Sequence, residues 1–229
     1  MMDGMKIERL NPGGSNSYLL KGNDGYLMVD AGMKGAASKV KHQLAGLGIN
    51  PGDIKHILIT HDHYDHTGGL SELKELTGAK VIIHGEELKD NSGYTNQSSG
   101  FYKVLVKVVG MLTPEGKPDE KHKADIVMEN DMDLHSLGYP ARIICTPGHS
   151  PGSVCLITDD RQCLAGDTLF SMFPGSHYPI IVYDRKKLAA SYKRLEKEDC
   201  LIYFPGHGES ISKDMFVKRI LKKEKIMRE

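Results

Sequence analysis

Short apolar blocks separated by turn residues run the length of the chain, and they fall into two series. The first opens with KIERL, NSYLLKG and GYLMVDAG, whose alternation and intervening NPGG and GND turns predict three strands. Ala36, Val40, Leu44 and Leu47 then recur at helical spacing, predicting a helix over 35–47 with Gly48 as its stop. A strand over 54–59, a polar loop, a helix over 70–77 closed by Gly78 and a strand over 80–83 follow. The second series places strand-like runs near 132–135, 141–146, 153–158, 162–165 and 200–204. Helices near 184–197 and 212–227 complete it, with Asp184 and Ser212 as N-caps. Strands dominate each half and helices close each half, so the expected class is α/β, two sheets packed between outer helices.

The stretch 85–125 breaks this rhythm. It is rich in Gly, Ser, Asn, Lys and Pro and carries FYKVLVKVVGML. Phe101, Val104, Leu105, Val108, Val109 and Leu112 share one helical face there, while the β-branched content leaves a strand open. An insertion of this length in one domain spanning 1–229 is expected to be a lid or a partner surface, such as a homodimer contact, or a helix covering its own core.

Composition narrows the function classes. Lys plus Arg and Asp plus Glu number 30 each in 229 residues, a zero formal charge that argues against a nucleic-acid partner. Lys218, Arg219, Lys222, Lys223 and Lys225 are interrupted by glutamates and read as a solvated helix face. Cys145, Cys155, Cys163 and Cys200 form no CxxC pair and sit mostly in apolar runs, as buried free thiols of a reducing compartment do. The opening MMDGMKIERL lacks the apolar segment of a signal peptide, and no run of 18 apolar residues exists to cross a membrane. The expectation is a cytoplasmic protein with a small-molecule substrate.

The chemistry concentrates in ILITHDHYDHTGG. Here a strand breaks into a loop holding His61, Asp62, His63, Asp65 and His66, and Gly68 and Gly69 let the backbone bend before the next helix. In an extended loop His61 and His63 face the same way, while Asp62 and Tyr64 point elsewhere. Four further strand ends carry a ligand-type residue beside a small, bendable turn: Asp30 in GYLMVDAG, His149 in ARIICTPGHS, Asp167 in QCLAGD and His207 in CLIYFPGHG. Sites in layered α/β folds gather where strand ends meet. Imidazole and carboxylate donors together suit zinc, and also iron or manganese. His42, His56, His84, His122 and His135 lack such a context and read as surface or core histidines.

HxHxDH, then GH after a TP turn, GD and finally GHG resemble the metallo-β-lactamase superfamily over residues 30–207. The resemblance implies a four-layer αββα sandwich and two divalent metal ions. It places His61, His63 and His149 on the first ion and Asp65, His66 and His207 on the second. Asp167 would bridge the pair with a hydroxide between the ions, and Asp30 would hydrogen-bond the histidine loop from behind. The implied activity is hydrolytic, with Asp65 and Asp167 as catalytic residues, Asp65 orienting the hydroxide.

Local features sort the members of that family. The β-lactamases proper place Cys or Ser where Asp167 stands, and the lactonases place Tyr where Phe170 stands. The persulfide dioxygenases use a single iron without a full second donor set. Gly166-Asp167-Thr168-Leu169-Phe170 is similar to the GDTLF segment of glyoxalase II, but SMFPGSHYP follows instead of that family's glycine-rich basic run. With 22 residues after His207, the expectation is a short glyoxalase II-like form. It would cleave a small thioester or ester, with a lactone or an iron-dependent oxygenation as alternatives. His177 and Tyr178, on a Pro/Gly-bracketed loop, are the candidate substrate contacts.

Overall fold

The computed structural model of the chain describes residues 7–89, 124–172 and 177–221. Its first half builds one six-stranded sheet in the order β1 (Glu8–Gly13), β2 (Ser15–Lys21), β3 (Tyr26–Val29), β4 (Ile54–Leu58), β5 (Lys80–His84) and β6 (Ile126–Met128). The first three strands are antiparallel neighbours, and β3 to β6 run parallel. The second half builds another six-stranded sheet: β7 (Met132–Asp133), β8 (Ala141–Cys145), β9 (Val154–Thr158), β10 (Gln162–Ser171), β11 (Ile202–Gly208) and β12 (Ile211–Ser212). Only β10 and β11 are parallel within it.

Strand periodicity sends successive residues to opposite faces, and three apolar cores between the layers result. Met28, Ile57, Val81 and Ile83 pack outward against α1 (Ala36–Leu47) and α3 (Leu70–Thr77). Leu27, Val29, Leu58 and Ile82 pack inward against Ile143, Leu156 and Leu164 of the second sheet. On that sheet's far face, Cys155, Ile157, Cys163 and Ala165 meet Leu188, Tyr192 and Leu195 of α4 (Arg185–Lys197). The order helix, sheet, sheet, helix is the expected four-layer arrangement. Cys155, Cys163 and Cys200 are buried and unpaired, and Cys145 is half-buried, also as a free thiol.

The predicted caps are in place. Asp184 accepts from the backbone N–H groups of Lys186 and Lys187, and Ser212 accepts from that of Met215. Gly48 ends α1 in the left-handed conformation that a residue without Cβ adopts freely. Several boundaries differ from expectation. Leu47 lies in the last turn of α1 and is 42 % exposed, so the helix ends before that position can reach the core. The strand expected over 162–165 continues to Ser171, and the one expected over 200–204 continues to Gly208. Register shifts at Gly166 and again before Phe170 bend the β10–β11 pair without ending it. The helix expected over 212–227 begins on time as α5 (Lys213–Phe216), then widens into a π-helical turn over Val217–Leu221. Of the irregular stretch 85–125, Gly85–Leu88 forms a 3-10 turn, and β6 begins at Ile126 just after it. FYKVLVKVVGML and His122 lie outside the described residues.

Candidate metal centre

The site is assembled at the mouth of the two sheets. β4 delivers Thr60 and the loop 61–63, and a single helical turn α2 (Tyr64–Thr67) carries Asp65 and His66. The turn after β8 delivers His149, while β10 and β11 carry Asp167 and His207. All seven residues expected to ligate metal come together. Among the described residues three donor groups are close enough to share an ion: His61–His63–His149, His61–His66–Asp167 and Asp65–His66–His207. The cluster is buried except on one side, where His63 is half-buried and the Asp65 side chain is 35 % exposed.

In the first corner, His63 Nδ1 lies 3.0 Å from His61 Nε2 and 3.0 Å from His149 Nε2. Bonds of roughly 2.0–2.1 Å from a tetrahedral zinc to nitrogen put the ligand atoms about 3.3 Å apart, close to this spacing. The tautomers agree with such an ion. Thr60 Oγ1 donates to Asp30 Oδ2 at 2.9 Å, so it accepts from His61 Nδ1 at 3.1 Å. His149 Nδ1 donates to the Ile181 carbonyl at 2.8 Å. Both imidazoles therefore turn a lone pair on Nε2 toward His63. Burial, aided by the neighbouring histidines, holds the His61 pKa well below its ordinary value. Burial and His63 bring that of His149 down to about 3. Two buried lone pairs converging on one nitrogen repel unless a cation lies between them.

The second corner is arranged around carboxylates. His207 Nε2 lies 3.0 Å from Asp65 Oδ2, 3.4 Å from His66 Nε2 and 3.4 Å from Asp167 Oδ2. His66 Nε2 is 3.3 Å from Asp167 Oδ1. Burial works against charge on His66, but Asp30 and Asp167 outweigh it and raise its pKa well above the ordinary value. The same opposition at His207, with Asp167 and Asp65 as partners, leaves its pKa at about 9. Burial disfavours ionised Asp65 and Asp167 as well. The hydrogen bond from His207 nonetheless brings Asp65 down to about 2, and His66 and His207 hold Asp167 well below the carboxylate range.

Asp167 touches both corners, since its Oδ2 is also 3.8 Å from His149 Nε2. Its Oδ1 is buried and has no hydrogen-bond donor in line with it. Gly206 makes room for that oxygen, because a Cβ there would sit 2.3 Å from Asp167 Oδ1. A buried carboxylate oxygen whose neighbour His66 Nε2, at 3.3 Å, is out of line for a hydrogen bond, inward lone pairs and a mixed His/Asp donor set all fit a pair of divalent ions.

Asp30 stands where the resemblance put it. Its backbone takes a left-handed φ of 62°, and its carboxylate accepts from the Thr60 N–H at 2.8 Å and from His66 Nδ1 at 2.8 Å. This turns His66 Nε2 into the cluster, as partners behind metal-binding histidines do. His177 and Tyr178 are not brought to the donors. Tyr178 packs on the core beside Tyr192, with ring centroids 6.0 Å apart. His177 is buried with Arg219 Nη1 donating to its Nε2 at 3.2 Å, and it approaches the site through Phe170, whose N–H its carbonyl accepts and whose ring lies 4.8 Å from that of His207.

Sequence reasoning missed Thr60, the Ile181 carbonyl and Glu87. Glu87 is buried, and its Oε2 accepts from the backbone N–H of Asp62 at 2.7 Å. Thr60 could have been found from its place directly before His61. Glu87 reads in GEELKD as one more surface charge.

The family model of the metallo-beta-lactamase superfamily matches residues 10–207. The chain belongs to this superfamily. The probable metallo-hydrolase YqgX of Bacillus subtilis is 31 % identical over 169 residues, which are 72 % of each chain. A hydroxyacylglutathione hydrolase of Pelagibacter ubique is 31 % identical over 158 residues, covering 67 % of this chain and 54 % of that one. The metallo-beta-lactamase family protein TTHA1429 of Thermus thermophilus has the same fold, with a TM-score of 0.65 at 22 % identity over 99 % of this chain and 80 % of its own. Members of the superfamily are metal-dependent hydrolases, and this chain's fold and donor set agree with that class.

Proposed function

We propose that the chain is a dinuclear metal-dependent hydrolase that cleaves a small thioester or ester in the manner of glyoxalase II. The observation that carries this reading is the pair of donor corners sharing Asp167. His61, His63 and His149 would hold one ion, Asp65, His66 and His207 the other, with Asp167 between them. When bound, the ions would make a water acidic enough to attack at neutral pH and would polarise the scissile carbonyl. The protein's share is positional. Asp30, Thr60 and the Ile181 carbonyl fix three imidazoles, and Asp65, on the open side of the cluster, is placed to orient the attacking water. Asp167 completes both donor sets.

The donor set suits zinc and serves iron and manganese equally. A full second corner favours this reading over a mononuclear iron dioxygenase, and Phe170 in place of tyrosine favours it over a lactonase. His177 remains a candidate substrate contact because its buried Nδ1 has no partner; the packing of Tyr178 favours a structural role. Buried free thiols support a reducing compartment such as the cytoplasm. No helix among the described residues is long and apolar enough to cross a membrane.

The test is hydrolysis of S-D-lactoylglutathione by zinc-, iron- and manganese-loaded protein with a chelated control. Chelator-sensitive loss of the thioester is expected. No reaction by a fully metallated protein would overturn the glutathione thioester, and other acyl thioesters and esters then test the remaining class.

A further inference from the structure

Each donor corner draws residues from both sheets, so its geometry depends on how the sheets are held together at that point. His61 and His63 come from the first sheet and His149 from the second; Asp65 and His66 come from the first and His207 from the second. Hydrogen bonds from residues outside the donor set cross the gap at each corner, and they are different residues.

At the three-histidine corner the crossing is made by Glu87, on the 3-10 turn after β5. Its Oε2 accepts from Asp62 N–H, between His61 and His63, at 2.7 Å. Its Oε1 accepts from Ser150 Oγ at 2.8 Å and from Gly152 N–H at 2.5 Å, in the turn that follows His149. Gly152 is required by this approach, since a Cβ there would lie 2.8 Å from Glu87 Oε1. At the other corner the crossing starts from the first two residues of β2. Ser15 Oγ donates to the Asp65 carbonyl at 2.6 Å, and Asn16 Nδ2 donates to the carbonyls of Pro205 and Gly208, on either side of His207, at 3.1 and 2.9 Å.

We propose that each metal corner has its own clamp of positioning residues, Glu87 for the three-histidine corner and Ser15–Asn16 for the Asp65–His66–His207 corner. The affinities of the two ions are then separately adjustable. A carboxylate is needed at position 87 because it faces N–H donors on both of its oxygens, whereas an amide turns an NH2 group toward one of them. This inference rests on the two-metal reading above.

The test is cobalt(II) titration of metal-free protein, read by visible absorption and by competition with a chelator. His63→Ala and His207→Ala variants assign the two steps. Glu87→Gln is expected to weaken the three-histidine step by about 10–100-fold, the usual cost of losing a partner behind a metal ligand, with the other step unchanged within about threefold. Asn16→Leu is expected to do the reverse. If Glu87→Gln does not fold, Ser150→Ala removes one of its donors and is expected to weaken the same step to a lesser degree. Equal weakening of both steps, or of neither, would overturn the clamps and leave two-metal binding standing. Wild-type protein that takes up a single ion would overturn the two-metal reading itself and the paired clamps with it.

Discussion

At His61 and His149 the outer nitrogens are committed to Thr60 and to the Ile181 carbonyl, and burial keeps the rings neutral. At His66 and His207 similar imidazoles lie among Asp30, Asp65 and Asp167, and carboxylates keep them charged. One corner therefore offers lone pairs, while the other holds protons in the place a cation would take. The difference teaches that ligand identity alone does not set readiness for metal: the groups behind each imidazole decide whether a proton must leave first.

The change that breaks both corners at once should have the largest effect. Asp167→Ala removes the carboxylate they share, and turnover is expected to fall about a thousandfold or more, as loss of several kcal/mol of metal-centred stabilisation implies. Circular dichroism should show the fold retained. Retention of most activity would remove Asp167 from the shared position. Asp30→Asn acts directly on one corner and through Thr60 on the other. It takes the charge from behind His66, and about 10–100-fold weaker binding of the ion at that corner is expected, with a smaller loss at the three-histidine corner, which Asp30 reaches through Thr60 and His61. A metal titration with two resolved steps checks this.

Proton counting sharpens the same contrast. With His66 raised well above its usual value and His207 at about 9, both are protonated at pH 7 in metal-free protein. Filling their corner should release about two protons, whereas His61 and His149 release none. Calorimetry in buffers of different ionisation enthalpy measures this. The sign for stability follows from the same shifts. A raised histidine stabilises the metal-free fold fully below its unfolded pKa of about 6.5, and that contribution is lost as pH rises through the folded value. Through His207, metal-free protein should therefore lose stability between roughly pH 6.5 and 9, and metal-loaded protein should not. The smallest effect is expected away from both corners: Leu47→Lys, in the exposed last turn of α1, should change stability by less than about 0.5 kcal/mol.

What was legible in the sequence was whatever repeats a local pattern. The layers followed from strand alternation in LMV and ILI, which sends Met28 and Ile57 outward and Leu27, Val29 and Leu58 inward. The donors were legible because a histidine or aspartate recurs beside small turn residues at the end of one apolar run after another. Leu47 misled because helical spacing continues one step past the point where α1 can reach the core. β10 outran its predicted end because the bend at Gly166 shifts its pairing with β11 without breaking it. Glu87 and Asn16 were illegible for a different reason. Each is an ordinary polar residue whose partner lies across a loop or across the gap between the sheets, and no local spacing records that approach.

In the two-metal reading, two ions sit side by side with Asp167 between them. Anomalous diffraction from crystals of the zinc-loaded protein tests it most directly. Two peaks are expected, one among His61, His63 and His149 and one among Asp65, His66 and His207, with the Asp167 carboxylate touching both. A single peak, or a second one away from Asp65, His66 and His207, would contradict it.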